Sequence, residues 1–168
     1  MKTLSVVIIT KDEEEKIGTC LEQIKWCDEI LVVDDMSTDN TAGICEAFGA
    51  KVIKHKSNGN YNGQCEIGLA NATGDWILNL DVDERVTPEL KKDILDILVS
   101  DSKYSAYSVG RKNHFLGKFM QYGGWHEKQV KFFKRDKGAY VGENVHGILK
   151  VNGEIGALES NINHYPFT

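Results

Sequence analysis

The chain lacks any apolar run near the roughly 20 residues that a membrane-spanning helix requires. It also lacks a basic excess: 20 Lys and Arg face 25 Asp and Glu, a formal net charge of -5. A general nucleic-acid binder carries a basic face, so no nucleic-acid partner is expected. Proline is scarce, with 2 in 168 residues, and no linker, repeat or low-complexity stretch divides the chain. One domain is therefore expected. The 4 cysteines, Cys20, Cys27, Cys45 and Cys65, fit neither a zinc pattern nor a redox pair. Cys20 and Cys45 fall on apolar faces of predicted helices, where a thiol packs as a small hydrophobe. Reduced thiols in a cytoplasmic protein are the expectation. The N-terminal MKTLSVVIITKDEEE has too short an apolar part for a secretion signal, and acids stand where a small-residue cleavage site belongs. It reads as a first strand.

What is present has a rhythm. Leu4 to Thr10 is β-branched and apolar on both faces, as in a central parallel strand covered on each side. Ile17, Cys20, Leu21 and Ile24 then recur at helical spacing. Glu29 to Asp35 is a second buried strand ending in two carboxylates. A helix through Ala42, Ile44, Cys45 and Phe48 follows, then a short strand at Lys51 to Lys54, a polar loop SNGNYNG and a helix over Gln64 to Ala72. After the strand Trp76 to Leu80, Thr87 and Pro88 open a helix with Leu90, Ile94, Leu95, Ile97 and Leu98 on its apolar face. Alternating strands and helices predict a parallel, right-handed α/β sheet. Ligands bind such sheets at the carboxyl ends of the strands. Beyond residue 100 the pattern changes. Tyr104 to Val109 alternates, KNHFLGKFMQYGGW is an aromatic, Gly-rich loop, and QVKFF is another strand. Val145 to Val151 and Ile155 to Tyr165 read as antiparallel strands joined at Asn152-Gly153.

The stretch around which the rest is arranged is DWILNLDVDE, residues 75–84. An apolar strand stops abruptly in Asp81, Asp83 and Glu84. If the extended geometry persists, Asp81 and Asp83 point to the same side. Carboxylates so close repel unless a cation or donor sits between them. Their oxygens suit hard divalent ions such as Mg2+ or Mn2+, which also take phosphate oxygens. Alone, the pattern is more often that of a solvated acidic turn. Asp34 and Asp35 likewise read alone as the start of a turn, and the basic stretch Lys128 to Lys137 as a solvated strand face.

Taken in order, SVVIITKDEEEKI, EILVVDDMSTDNT, GLANATGDWILNLDVDERVTPEL, KQVKFFKR and VHGILKVNG…INHY make the chain similar to family-2 glycosyltransferases of the GT-A fold. The small bacterial enzymes of lipopolysaccharide-core and envelope-glycan synthesis are the subgroup it resembles. The resemblance implies a mainly parallel central sheet flanked by helices, with a smaller antiparallel C-terminal part. It implies a nucleotide-sugar-binding half over residues 1–100 and an acceptor-side half over residues 101–168. It further implies an inverting, metal-dependent transfer of a sugar from a nucleotide-diphosphate donor, UDP-glucose by default, to a glycan or lipid-linked acceptor. The cofactor would be Mg2+ or Mn2+, and the location cytoplasmic, with peripheral contact at the inner membrane face.

Carried over residue by residue, the resemblance puts Thr10 and Glu13 at the nucleotide pocket and Asp35 on the base, with Asp34 beside it. Asp81 would face the ribose and the metal's water shell. Asp83 would ligate the metal, and His164, or second His146, would complete the site. Phe115, Phe119, Tyr122 and Trp125 would stack an acceptor. Relatives tend to carry Val-His-Glu where this chain has Val145-His146-Gly147, which leaves Glu127, ahead of Glu143, as the general base. That departure keeps a catalytically weakened sugar- or nucleotide-sugar-binding module of the same fold as the alternative. A nucleotidyltransferase would show a Gly-rich basic loop after its first strand, where this chain has KDEEE. A receiver-like domain would need a late Lys-Pro pairing, which is missing.

Overall fold

The computed structural model describes residues 1–115, 118–119, 126–142 and 148–166, with the side chains of residues 126 and 127 left out. The first part alternates as expected: β1 (Leu4–Thr10), α1 (Glu14–Glu22), β2 (Glu29–Asp34), α2 (Thr41–Ala47), β3 (Lys51–Lys54), α3 (Tyr61–Asn71), β4 (Trp76–Asn79), β5 (Glu84–Val86) and α4 (Pro88–Val99). The second part is strands: β6 (Ala106–Phe115), β7 (Lys118–Phe119), β8 (His126–Lys134), β9 (Gly138–Val141), β10 (Ile148–Val151) and β11 (Ile155–His164).

The main sheet runs β3-β2-β1-β4-β8-β6-β11-β5, with β7 appended to β6. β3, β2, β1 and β4 are parallel neighbours, so the ends of β1 and β2 meet at the pair Thr10↔Asp34. β8 is antiparallel to both β4 and β6, β11 runs parallel to β6, and β5 closes the edge antiparallel to β11. β9 and β10 form a separate antiparallel pair. Each face has its own core. One gathers Ile17, Leu21, Cys45, Leu90 and Ile94 from α1, α2 and α4 over Leu4, Val6, Ile8 and Leu78. The other gathers Cys65 and Ala72 with Tyr140 over Val7, Leu31, Ile77 and Phe133. β1 therefore buries both faces, which is why its run does not alternate.

Three expectations are corrected. The strand before the acids ends at Asn79, and the Glu84 amide closes a turn onto the Asp81 carbonyl at 3.0 Å, so the extended geometry does not persist through Asp83. α3 begins at Tyr61, inside the stretch expected to be loop, because the Asn60 side chain caps it by accepting from the Gly63 amide. Asn152-Gly153 does not fold β10 back on β11. The Asn152 amide bonds Lys137 and the Ser105 amide bonds Glu154, so the turn passes the chain from the small sheet to the large one. Gly153 sits at φ 128, where a Cβ would also strike the Ser105 side chain.

α3 lies close on the sheet at Gly68, where a Cβ would stand 2.5 Å from Val7 Cγ1. Overpacking of this kind typically costs about 1–3 kcal/mol. Gly68→Ala is expected to lower unfolding stability by about that amount in urea denaturation. A loss under about 0.5 kcal/mol would show that α3 does not depend on this approach.

Candidate functional site

The carboxyl ends of β1, β2 and β4 carry two acid clusters. At the first, the Asp35 amide donates to the Thr10 carbonyl at 2.8 Å. The Asp35 carboxylate accepts from the Ser57 amide at 2.7 Å and the Ser57 hydroxyl at 2.6 Å, with Lys11 Nζ 3.7 Å away. Burial pushes this carboxyl up, but the two Ser57 donors and Lys11 outweigh it and hold the group below the usual carboxylate range. A cleft of about 230 Å³ opens here, lined among others by Thr10, Lys11, Asp35, Ser57, Tyr61 and Gln64. The buried Thr10 hydroxyl has no hydrogen-bond partner. Asp34 faces elsewhere. It is fully buried and accepts from the Ser37 amide and hydroxyl, holding a loop whose Met36 sits at φ 55. Glu13 starts α1 and stands 3.8 Å from Lys16; it is not among the residues lining the cleft.

The second cluster is the acid turn. Tyr61, which lines the Asp35 cleft, donates its hydroxyl to Asp81 Oδ1 at 3.3 Å, so the two clusters share one rim. Lys131 Nζ reaches Asp81 Oδ2 at 3.1 Å and Glu84 Oε2 at 2.7 Å. Glu84 is fully buried, and its Oε2 also accepts from the Asp81 amide at 2.9 Å. Burial works against the Lys131 charge, but Glu84 and Asp81 outweigh it and raise the ammonium above its ordinary value.

On the other flank, β11 pairs His164 with Glu84 across the ladder and sets His164 Nε2 3.0 Å from Asp83 Oδ2. The Asn113 amide oxygen lies 2.5 Å from His164 Nδ1. An amide oxygen and a carboxylate oxygen both accept, so each ring nitrogen of His164 faces an acceptor, Asn113 at Nδ1 and Asp83 at Nε2. Arg111 lies against the same ring, at 2.6 Å from Nε2, and 3.6 Å from Glu84.

Asp83 and His164 are the side chains here that could share a divalent ion, with the Arg111 guanidinium 2.6 Å from the same Nε2. Neighbouring ligands about 2.1 Å from an octahedral ion stand roughly 3.0 Å apart. Asp83 and His164 have that separation, and Asn113 supplies the outer partner that a ligating imidazole normally has. Asp81 is turned to Lys131 and Tyr61. Among the described residues, no group of three or more His, Cys, Asp or Glu side chains is arranged to hold a metal.

Glu143, His146, Tyr122 and Trp125 lie outside the described residues, as does the Glu127 side chain; the Glu127 backbone pairs with Arg111 on β6. Phe115 and Phe119 are exposed at the ends of β6 and β7. Lys131, Arg111, Tyr61 and Ser57 were not singled out from sequence. Lys131 is buried and not on a solvated strand face, and its place between Val130 and Phe132 gives no signal of this, because simple alternation would turn it outward.

The model of glycosyl transferase family 2 matches residues 5–148. The chain belongs to that family. An uncharacterized glycosyltransferase of Rickettsia typhi is 40% identical over 112 residues, 65% of this chain and 38% of that protein. The lipopolysaccharide core biosynthesis glycosyltransferase LpsC of Rhizobium meliloti is 28% identical over 163 residues, 91% of this chain and 59% of that protein. The chain thus spans well under two thirds of these relatives. Among solved structures, S. aureus TarS 1–349 in complex with UDP-GlcNAc superposes with a TM-score of 0.74 at 18% identity, over 99% of this chain and 59% of that one. Glucosyl-3-phosphoglycerate synthase of Mycobacterium tuberculosis, with Mn2+, UDP and glucosyl-3-phosphoglycerate, superposes at 0.58 and 19% identity, over 80% of this chain and 57% of that one. At such identities the likeness is one of fold, the α/β GT-A arrangement.

Ser57→Ala removes one of the two Ser57 donors to Asp35 and is expected to raise that carboxyl toward the ordinary value of about 3.9. NMR titration of the Asp35 carboxyl checks this, and an unmoved midpoint would remove Ser57 from the account. A lowered carboxyl stabilises the fold fully above the unfolded value and loses that contribution as pH falls through the folded one. The variant should therefore lose stability at a higher pH than the wild type during acid titration.

Proposed function

We propose that this family-2 chain transfers a sugar from a nucleotide-diphosphate donor, with inversion, to a glycan or lipid-linked acceptor in envelope-polysaccharide synthesis. The observation that carries the reading is the continuous rim on which Tyr61 joins the Asp35 cleft to the Asp81–Glu84 turn. One end of that rim has an acceptor carboxylate and an unpartnered hydroxyl, suited to a nucleoside. The other end has hard oxygen donors with an imidazole, suited to a cation beside a diphosphate. The complexes of TarS with UDP-GlcNAc and of the mycobacterial synthase with Mn2+ and UDP support this pairing. The name of LpsC supports the class of acceptor.

In this reading Asp35 holds the base and Thr10 the nucleoside, while Asp81 faces the ribose. Asp83 and His164 hold Mg2+ or Mn2+, which when bound neutralises the leaving diphosphate. The anomeric carbon becomes oxocarbenium-like as the bond to the phosphate breaks, so it must be positioned and screened from water. The acceptor hydroxyl must lose a proton, and a positioned base accelerates that roughly a hundredfold or more. Glu127 is the base in this account, ahead of Glu143, because Gly147 stands where relatives tend to carry an acid. No helix among the described residues is long and apolar enough to cross a membrane. Contact with the cytoplasmic membrane face would be peripheral.

Asp83→Ala is the direct test. An ion stabilising developing charge by several kcal/mol implies a loss of at least about a hundredfold in Mn2+-dependent UDP-sugar turnover. The circular dichroism spectrum should stay that of the wild type. Equal turnover in both proteins would sink the assignment.

A further inference from the structure

Lys131 arrives in the acid turn by an irregularity of the strand. β6 and β8 pair Tyr107 with Phe132 and then Ser108 with Val130, so Lys131 is an extra residue on β8. The ladder between β8 and β4 stops at the same level, at Leu78↔Phe132, just before the acids begin. A bulge breaks the alternation and re-aims the side chain that it carries. Here it sends a lysine, with Val130 and Phe132 on either side, under the turn, where its side chain is 9% exposed.

Stability alone is a poor reason for such an arrangement. Apolar residues of similar volume often serve a buried site as well as an ion pair does. What the ammonium does is local. It holds one oxygen of Asp81 and one of Glu84, and that Glu84 oxygen also takes the Asp81 amide. Asp81 is left with its other oxygen toward Tyr61 and the nucleotide cleft. Asp83 follows two residues on, inside the turn that these bonds close.

We propose that Lys131 is a positioning residue of the donor site, locking the Asp81–Glu84 turn in the shape that presents Asp81 and Asp83 to a nucleotide diphosphate and its cation. Lys131 itself does not touch the donor. The inference rests on the donor-site reading above and adds to it a residue that acts through the turn.

The test separates the two ends of the rim. UMP binding in EDTA reports the Asp35 cleft and, through the ribose, Asp81; UDP binding with Mn2+ adds Asp83 and the cation. Lys131→Met combined with Glu84→Gln removes both buried charges while keeping their shapes, since Lys131→Met alone would strand a buried carboxylate. Calorimetry on this protein is expected to show UDP–Mn2+ affinity weakened by roughly tenfold to a hundredfold, the range for lost support around a metal ligand, and UMP affinity weakened by less than that. Unchanged affinity for both overturns the proposal and leaves the donor site standing. If the pair does not fold, as read by circular dichroism, Lys131→Gln is measured by the same two criteria. A wild-type protein that does not bind UDP with Mn2+ overturns the donor-site reading and this inference with it.

Discussion

One buried ammonium between two carboxylates fixes the geometry on which the rest of the site depends. Asp81, Asp83 and Glu84 crowd three negative charges into four residues, and Glu84 is removed from water altogether. Left alone, such a group would spread apart or take up protons, because burial and like charges both disfavour ionisation. Lys131 answers on one flank at 2.7 and 3.1 Å, and Arg111 on the other at 3.6 Å from Glu84. These two flanks hold the turn in shape, while burial still pushes the Glu84 carboxyl above its ordinary value. Removing one partner of a buried pair is far more damaging than replacing both, since it leaves an uncompensated ion.

The sheet explains why that turn lies beside the Asp35 cleft. Parallel pairing of β2, β1 and β4 brings their carboxyl ends to one edge, and the chain leaves that edge in polar loops. α3 seats closely on Val7 through Gly68, and its first residue, Tyr61, thereby reaches over β4 to Asp81. Ser57, in the loop before α3, comes back to Asp35. A helix packed farther from the sheet would break the connection between the two clusters without altering either.

Much of this was legible in the sequence, for identifiable reasons. β1, β2 and α4 announce themselves by apolar runs or helical spacing, and Thr87-Pro88 marks where α4 begins. The places of Asp35, Asp81 and Asp83 just after strands were legible from the apolar runs before them; their roles came from the family resemblance. The start of α3 was hidden because its buried face includes Asn62 and Gln64, so no apolar period reveals it. Lys131 was hidden because a bulge reverses the side that simple alternation assigns to it. Asp34 and Asp35 are neighbours of identical chemistry. Only the structure shows that one is spent on Ser37 while the other faces the cleft.

The division of the chain into a donor-binding first part and an acceptor-binding second part therefore needs a qualification in physical terms. The acids of the turn belong to the first hundred residues, yet their countercharges do not. Lys131 comes from β8, Arg111 from β6, and His164 from β11, whose parallel pairing with β6 delivers it opposite Glu84. A fragment ending after α4 would contain both carboxylate clusters of the rim and none of these three groups. Its acid turn would carry the same residues with neither flank to neutralise it and no imidazole beside Asp83. The proposed donor site is thus a property of the whole sheet, assembled where strands distant in sequence place opposite charges on the two sides of one turn.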